Sequence, residues 1–230
     1  MDTNDYALYI NLRHRTDRRD NTERQFRDHL PQLGRFEAVR DLPGELGCSQ
    51  SLVAVLEQAL KSEWKLFLLL EDDMVWNDDN APQRLQSHVR EVVRQGADGA
   101  VLTTFHGPFY RASPTDSQIL DRVLYATDFG ATLFTRSGAE EMLKVQKDAL
   151  CSFQRSIRRM GLGSRCSNET LELTTDRARE KVFKSQLWLV PHTEKEMAIR
   201  QPGGYSDLGH KMMNLDAYRD RHRLQREETA

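Results

Sequence analysis

Three consecutive acidic residues follow the most apolar segment of the sequence. Residues 67–70 read Phe-Leu-Leu-Leu, and Glu71, Asp72 and Asp73 come directly after them. In parallel α/β sheets ligands bind just beyond the carboxyl ends of the strands, which is where this cluster would lie. Side chains alternate along a strand, so we expect Glu71 and Asp73 to converge on one divalent cation while Asp72 faces elsewhere. Mg²⁺ and Mn²⁺ prefer such oxygen ligands.

A cation held in this way would have a nucleoside diphosphate as its natural complement, because phosphate oxygens complete its ligand shell. The alternative interpretation is a solvated acidic turn that closes the strand. The apolar run at residues 66–70 is typical of a strand buried on both faces of a parallel sheet, and it leaves both interpretations open.

The order of the secondary-structure signals predicts an α/β protein. Short apolar segments alternate with longer ones whose apolar residues recur at helical spacing, such as Leu52, Leu56 and Leu60. Strands are predicted at residues 6–12, 35–39, 65–70, 99–103, 123–126, 131–135 and 186–190, with a loop at 106–117. Helices are predicted at residues 16–29, 49–62, 82–95, 137–147 and 150–160, with another beginning near 176. We expect one domain over residues 1–212 and a polar tail over 213–230.

Composition excludes several classes of protein. The 230 residues carry 33 basic and 35 acidic side chains, a net charge of -2, so we expect no dedicated nucleic-acid binder. Three cysteines, Cys48, Cys151 and Cys166, fit neither a disulfide scaffold nor a cysteine zinc site and indicate a reducing compartment. The acidic first five residues and the absence of a long apolar run predict a cytoplasmic protein.

Five blocks of sequence occur in a recognisable order over residues 6–210. They are Tyr9-Ile10-Asn11-Leu12 with Asp17-Arg18-Arg19; Gly44-Glu-Leu-Gly47-Cys48 with Ser51; Leu69-Leu70-Glu71-Asp72-Asp73; Gly130-Ala-Thr-Leu-Phe134 with Arg136-Ser-Gly138-Ala139; and Asp176, Val190-Pro191, Gln201 and Ser206-Asp207-Leu208. This order resembles glycosyltransferase family 25, the lipopolysaccharide and collagen galactosyltransferase-like enzymes. The chain departs from the family pattern at Leu52, where a histidine is common, and in the long stretch 144–173.

The resemblance implies a GT-A type glycosyltransferase fold, with a Rossmann-like, mostly parallel central sheet flanked by helices. It also implies an inverting, metal-dependent transfer of a hexose, most often galactose, from a UDP-sugar to a glycan acceptor. That acceptor would be lipopolysaccharide or a glycoprotein glycan, and the cofactor Mn²⁺ or Mg²⁺.

The resemblance also implies where the donor and the metal bind. The metal ligands would be Glu71, Asp73 and a C-terminal histidine, His210 first and His192 second. The implied donor-binding residues are Asn11, Arg18, Ser51, Asp72 and Gln201. Arginine suits this role because its fork of N–H donors matches phosphate oxygens.

Inversion by a single displacement needs a carboxylate that takes the proton from the acceptor hydroxyl. The match to the family's aspartate upstream of Pro191 implies Asp176 for this role, with Asp207 second. The alternative for Asp176 is capping of the helix that begins beside it.

Two other functions remain open. The first is a metal-dependent phosphoryl hydrolase that uses the same carboxylates, although such enzymes need more carboxylates around their metals than this sequence offers. The second is a catalytically inactive relative that binds sugar nucleotides, to which Leu52 gives some weight. Four arginines of the tail would allow peripheral contact with an anionic membrane: Arg219, Arg221, Arg223 and Arg226. The sequence does not predict an oligomeric state.

Overall fold

The computed structural model describes residues 5–41, 44–103, 110–126, 130–160, 178–202, 204–206 and 211–213. Its strands are β1 (Tyr6–Asn11), β2 (Leu33–Glu37), β3 (Phe67–Glu71), β4 (Val75–Trp76), β5 (Gly99–Val101), β6 (Arg111–Ser113), β7 (Leu120–Tyr125), β8 (Ala131–Phe134), β9 (Trp188–Pro191), β10 (Ile199–Arg200), β11 (Gly204–Ser206) and β12 (Lys211–Met213). Its α-helices are α1 (Thr16–Phe26), α2 (Gly44–Ala59), α3 (Ala81–Gln95), α4 (Arg136–Met160) and α5 (Glu180–Ser185). None of these helices is both long and apolar enough to cross a membrane.

Eight strands form one sheet in the order β2-β1-β3-β8-β5-β9-β7-β6. Six of them run in one direction, and β7 and β8 run in the other. The parallel strands β1, β3, β5 and β9 therefore end at the same edge, which is the C-terminal edge of the sheet. The expected α/β class with a mostly parallel sheet flanked by helices is confirmed.

The sheet separates two buried apolar clusters. One contains Phe67, Phe134 and Trp188 and packs under α2, α4 and α5. The other contains Tyr9 and Leu68 and packs under α1 and α3. Residues 67–70 of β3 supply both clusters, because successive side chains point to opposite faces. Burying each large apolar side chain contributes about 2 kcal/mol, so β3 is the natural centre of the fold.

Helix boundaries differ from the sequence prediction at two places. Helix α2 begins at Gly44 rather than at residue 49, although glycine disfavours helices. At Gly47 a β-carbon would lie 2.7 Å from the carbonyl oxygen of Val39 and 2.9 Å from the amide nitrogen of Asp41, so only glycine allows this approach. Helix α4 is continuous from residue 136 to 160, because nothing between 147 and 150 breaks helical periodicity.

The predicted loop at 106–117 is also partly wrong. Residues 111–113 form β6, which pairs with β7 at the end of the sheet. A three-residue strand carries too short a pattern to be read from sequence, and only pairing with its neighbour defines it. Of the helix predicted near residue 176, the described part begins at residue 178 and includes α5. The tail at 214–230 lies outside the described residues.

Candidate active site

The acidic turn, residues 71–73, lies at the C-terminal edge of the sheet. Strand β3 ends at Glu71, and the chain turns through Asp72 and Asp73 before β4 begins. The alternation expected for these side chains is therefore wrong beyond Glu71, because a turn does not keep the two-residue period of a strand. The Arg18 guanidinium contacts both Asp72 and Asp73, so Asp72 does not face away from Asp73 as expected.

Asp72 is buried and held by two donors. The Asn11 amide Nδ2 donates to its Oδ2 at 2.7 Å, and a guanidinium nitrogen of Arg18 donates to its Oδ1 at 2.9 Å. Burial raises the pKa of Asp72, and Arg18 and Asn11 offset part of that rise. Since Asp72 is only 7% exposed, its charge is balanced inside the protein rather than by water.

Helix α1 is fixed to the acidic turn, and this fixes the backbone that carries Arg18. The Thr22 hydroxyl donates to the backbone oxygen of Asp72 at 3.0 Å. One turn further on, the Trp76 indole N–H donates to the backbone oxygen of Gln25 at 2.7 Å, and its ring packs 4.6 Å from that of Phe26. The helix that follows β1 is thus tied to the turn that follows β3.

Asp73 has two oxygens in different situations. Its Oδ2 accepts a hydrogen bond from the Gln201 amide at 2.9 Å and lies 3.4 Å from the Arg18 guanidinium. Its Oδ1 is buried and has no hydrogen-bond partner among the described residues. Gln201 reaches this position because β10, which ends just before it, pairs antiparallel with β4 just after the acidic turn. An unpartnered buried carboxylate oxygen needs a cation or a donor from elsewhere.

Asn11 joins the acidic turn to β2. Its side chain is 1% exposed, and its Oδ1 accepts from Nε of Arg35 at 2.9 Å while Nδ2 also donates to the backbone oxygen of Arg15 at 3.0 Å. Sequence analysis missed Arg35 and Thr22. The sequence pointed only weakly to Arg35, because the predicted strand began at this residue. In the structure β2 begins two residues earlier, and Arg35 is in register with Tyr9 of β1.

The remaining predicted residues lie apart from this network. The buried Ser51 hydroxyl accepts from the backbone N–H of Val39 at 2.8 Å and donates to the backbone oxygen of Gly47 at 2.7 Å, so it binds α2 to the segment after β2. His192 follows β9 and lies three strands from β3 in the sheet. Three predicted site residues fall outside the described residues: Asp176, Asp207 and His210.

A divalent cation fits this site through Asp73. The unpartnered Oδ1 supplies one anionic oxygen, whereas both oxygens of Asp72 already accept hydrogen bonds. Within the described part of the chain no three His, Cys, Asp or Glu side chains are grouped so that they could hold a metal. A small number of protein ligands is consistent with a metal ion that completes its coordination shell with substrate phosphates, as Mg²⁺ commonly does.

Comparison with solved structures supports the fold. The chain is similar to an apo UDP-glucose pyrophosphorylase, at 8% identity over 98% of this chain and 82% of that one, with a TM-score of 0.50. It is also similar to a glycosyltransferase involved in glycosylation of the major capsid of PBCV-1 (14% identity, 95% and 97% covered, TM-score 0.48). A third similar structure is a mannose-1-phosphate geranyltransferase from Thermus thermophilus, at 13% identity over 82% of this chain and 74% of that one, with a TM-score of 0.44. No protein-family model and no curated protein matches.

At such low identities the similarity concerns the fold alone. The fold assignment rests on the pyrophosphorylase, whose TM-score is 0.50. Together with the sheet order and the flanking helices, it shows that the chain has an α/β fold of the GT-A-like kind. In such folds the C-terminal edge of the sheet is where ligands bind, and this is the edge that holds the acidic turn.

Proposed function

We propose that this protein is a metal-dependent, inverting glycosyltransferase of the family 25 kind. It would transfer a hexose, galactose first among the candidates, from a UDP-sugar to a glycan acceptor such as lipopolysaccharide. The observation that supports this most directly is the buried, unpartnered Oδ1 of Asp73 at the C-terminal edge of a GT-A-like sheet. The site offers a carboxylate oxygen, a guanidinium and two amides within one network, which matches the chemistry of a metal-bound diphosphate.

In this proposal the acidic turn does two different jobs. Asp73 holds the metal through Oδ1, with Glu71 and His210 as the further ligands that the family resemblance implies, while Gln201 orients Asp73 through Oδ2. Asp72 is too buried to be the main contact to the donor, so it orients Arg18 and Asn11 toward it. When bound, Mn²⁺ or Mg²⁺ supplies Lewis-acid stabilisation of charge on the leaving diphosphate.

Arg18 adds a second positive charge at the same place. Its guanidinium lies 2.9 Å from Asp72 and 3.4 Å from Asp73, so these two carboxylates fix its position. Preorganised cations are effective because they need no reorganisation when the leaving group becomes charged. Ser51 contributes indirectly, since its hydroxyl fixes the segment after β2 beside the N-terminal part of α2.

Calorimetry with UDP in the presence and absence of Mn²⁺ tests the proposal. Wild-type protein should bind UDP with Mn²⁺ at least tenfold more tightly than without it. Asp73→Asn keeps an oxygen for Gln201 but removes the anionic ligand, so it should abolish the Mn²⁺ effect while leaving the fold intact. Asp79→Asn is the matched control, because Asp79 is an exposed residue six positions further along the chain.

Several outcomes would contradict the proposal. One is that wild-type protein does not bind UDP. Another is that UDP binding to the Asp73→Asn variant still depends on Mn²⁺. Binding without release of UDP from any UDP-sugar would favour the inactive relative. Formation of a UDP-sugar from UTP and a hexose 1-phosphate would instead indicate a pyrophosphorylase.

A further inference from the structure

The edge strand β2 carries an arginine that belongs to the same network as the acidic turn. Arg35 is the third residue of β2 and is in register with Tyr9 of β1. Residues in register on neighbouring strands share a face of the sheet, and so do residues two apart in one strand, so Arg35 lies on the same face as Asn11. This is the face covered by α1, which carries Arg18 to the acidic turn.

The guanidinium of Arg35 holds Asn11 at two points. Its Nε donates to Oδ1 of Asn11 at 2.9 Å, and a terminal nitrogen donates to the backbone oxygen of Asn11 at 3.4 Å. The contact of Arg35 with the exposed carboxylate of Glu37 is longer, at 3.5 Å. Because Asn11 is buried, water cannot readily replace the bond to its Oδ1.

The partners of the Asn11 amide allow it only one orientation. An amide accepts through its oxygen and donates through its nitrogen, whereas arginine can only donate and an ionised carboxylate can only accept. With Oδ1 toward Arg35, Nδ2 meets Oδ2 of Asp72 at 2.7 Å and the backbone oxygen of Arg15 at 3.0 Å. Arg35 therefore occupies the acceptor side of an amide whose donor side holds the acidic turn.

We propose that Arg35 is a positioning residue for the donor diphosphate and that it acts through the Asn11 amide. This inference rests on the function proposed above. Without Arg35, Oδ1 of Asn11 would be buried and would have no donor among the described residues, which favours rotation of the amide away from Asp72. Asp72 would then keep Arg18 as its side-chain donor, and the two side chains could shift together.

The expected effect is on the placement of charges rather than on contact with the ligand. Removal of residues that orient the groups around a metal site typically costs roughly 10- to 100-fold in metal affinity or activity. Arg35 acts on Asp72 through an intermediary, since Asn11 lies between them. We therefore expect its removal to fall at the lower end of that range, about tenfold.

Calorimetry of the full chain with UDP and Mn²⁺ tests the inference. Arg35→Ala should raise the Kd about tenfold. Arg35→Lys should stay within about threefold of wild type, because an ammonium group can still donate to Oδ1 of Asn11. If Arg35→Ala does not fold, Arg35→Met takes its place, because methionine keeps an apolar stem like that of arginine.

A double-mutant cycle separates positioning from direct contact with the donor. Asn11→Ala should itself raise the Kd about tenfold. In the Asn11→Ala background, Arg35→Ala should change the Kd by less than about twofold, because the contact through which it acts is already absent. Glu37→Gln is the matched control, since it weakens the other ion pair of Arg35 and leaves the Asn11 contact, and it should bind UDP like wild type.

Three results would overturn the inference. They are an Arg35→Ala variant that binds UDP like wild type, an Arg35→Lys variant as weak as Arg35→Ala, and an effect of Arg35→Ala that persists in full without the Asn11 side chain. In each case wild-type protein still binds UDP with Mn²⁺, so the proposed function stands. If wild-type protein does not bind UDP with Mn²⁺, both the proposed function and the inference fall.

Discussion

The acidic turn and the ion pair of His192 with Asp121, called here the histidine dyad, lie at the same edge of the sheet but are built differently. In the acidic turn the side chain of Asp72 is only 10% exposed, and that of its partner Arg18 is 18% exposed. Asn11 and Gln201 complete the hydrogen-bond network. In the dyad the two side chains are 29% and 22% exposed, and one contact of 3.3 Å joins them. The first cluster is locked by several neighbours, whereas among the described residues the second is held by one ion pair and by the strands that carry it.

This difference matches the work proposed for the acidic turn. A site that binds a charged diphosphate benefits from dipoles and charges fixed in advance. The comparison also makes a prediction about stability: the acidic turn should contribute to folding, and the dyad should not.

The largest effect is expected for Asp72→Ala. The substitution leaves the Arg18 guanidinium and the Asn11 amide without their main acceptor inside the protein. Removing one partner from a buried ion pair is strongly destabilising, so the free energy of unfolding should fall by about 3 kcal/mol. Urea denaturation followed by circular dichroism measures this loss. A loss below about 1 kcal/mol would show that the acidic turn is not locked as described.

A comparison of two histidines gives the next effect. His88, on α3, is 1% exposed and its Nδ1 has no hydrogen-bond partner among the described residues, whereas His192 has Asp121 beside it. Burial lowers the pKa of His88 to about 4, with a further contribution from Arg84. Between about pH 4 and 6.5 the unfolded chain therefore binds more protons, and stability falls as the pH is lowered.

At about 1.4 kcal/mol per pH unit, His88 should account for about 2 kcal/mol of stability lost between about pH 6 and 4.5. His88→Leu should remove this part of the pH dependence, while His192→Ala should keep it. Unfolding curves at several pH values measure both, and the difference from wild type cancels the carboxylates that titrate in the same range. Equal slopes for wild type and His88→Leu would refute the assignment.

The smallest effect is expected for Asp121→Ala. Exposed or half-exposed ion pairs contribute little to stability, so the free energy of unfolding should change by less than about 1 kcal/mol. The same denaturation measurement as for Asp72→Ala makes the comparison direct. A loss as large as that of Asp72→Ala would show that the dyad is a structural clamp like the acidic turn.

The sequence alone determined the class of the fold and the place of the acidic turn. Residues 67–70 were predicted as a buried strand, because four large apolar side chains in succession satisfy both faces of a sheet, and they form β3. Carboxylates directly after such a strand had to lie at its carboxyl end, so the edge of the sheet that holds the candidate site followed from local pattern. The same reasoning located β1, α1 and α3 closely.

Only the tertiary structure decided which of these side chains meet. Asp72 pairs with Arg18 across 54 residues and Asp73 with Gln201 across 128, and no local periodicity encodes contacts of that separation. Strands β7 and β8 were recognised as strands, yet their reversed direction depends on pairing with distant neighbours. The dyad of Asp121 and His192 arises from that reversed pairing. Local propensity specifies elements, whereas contacts between elements depend on how the whole sheet is ordered.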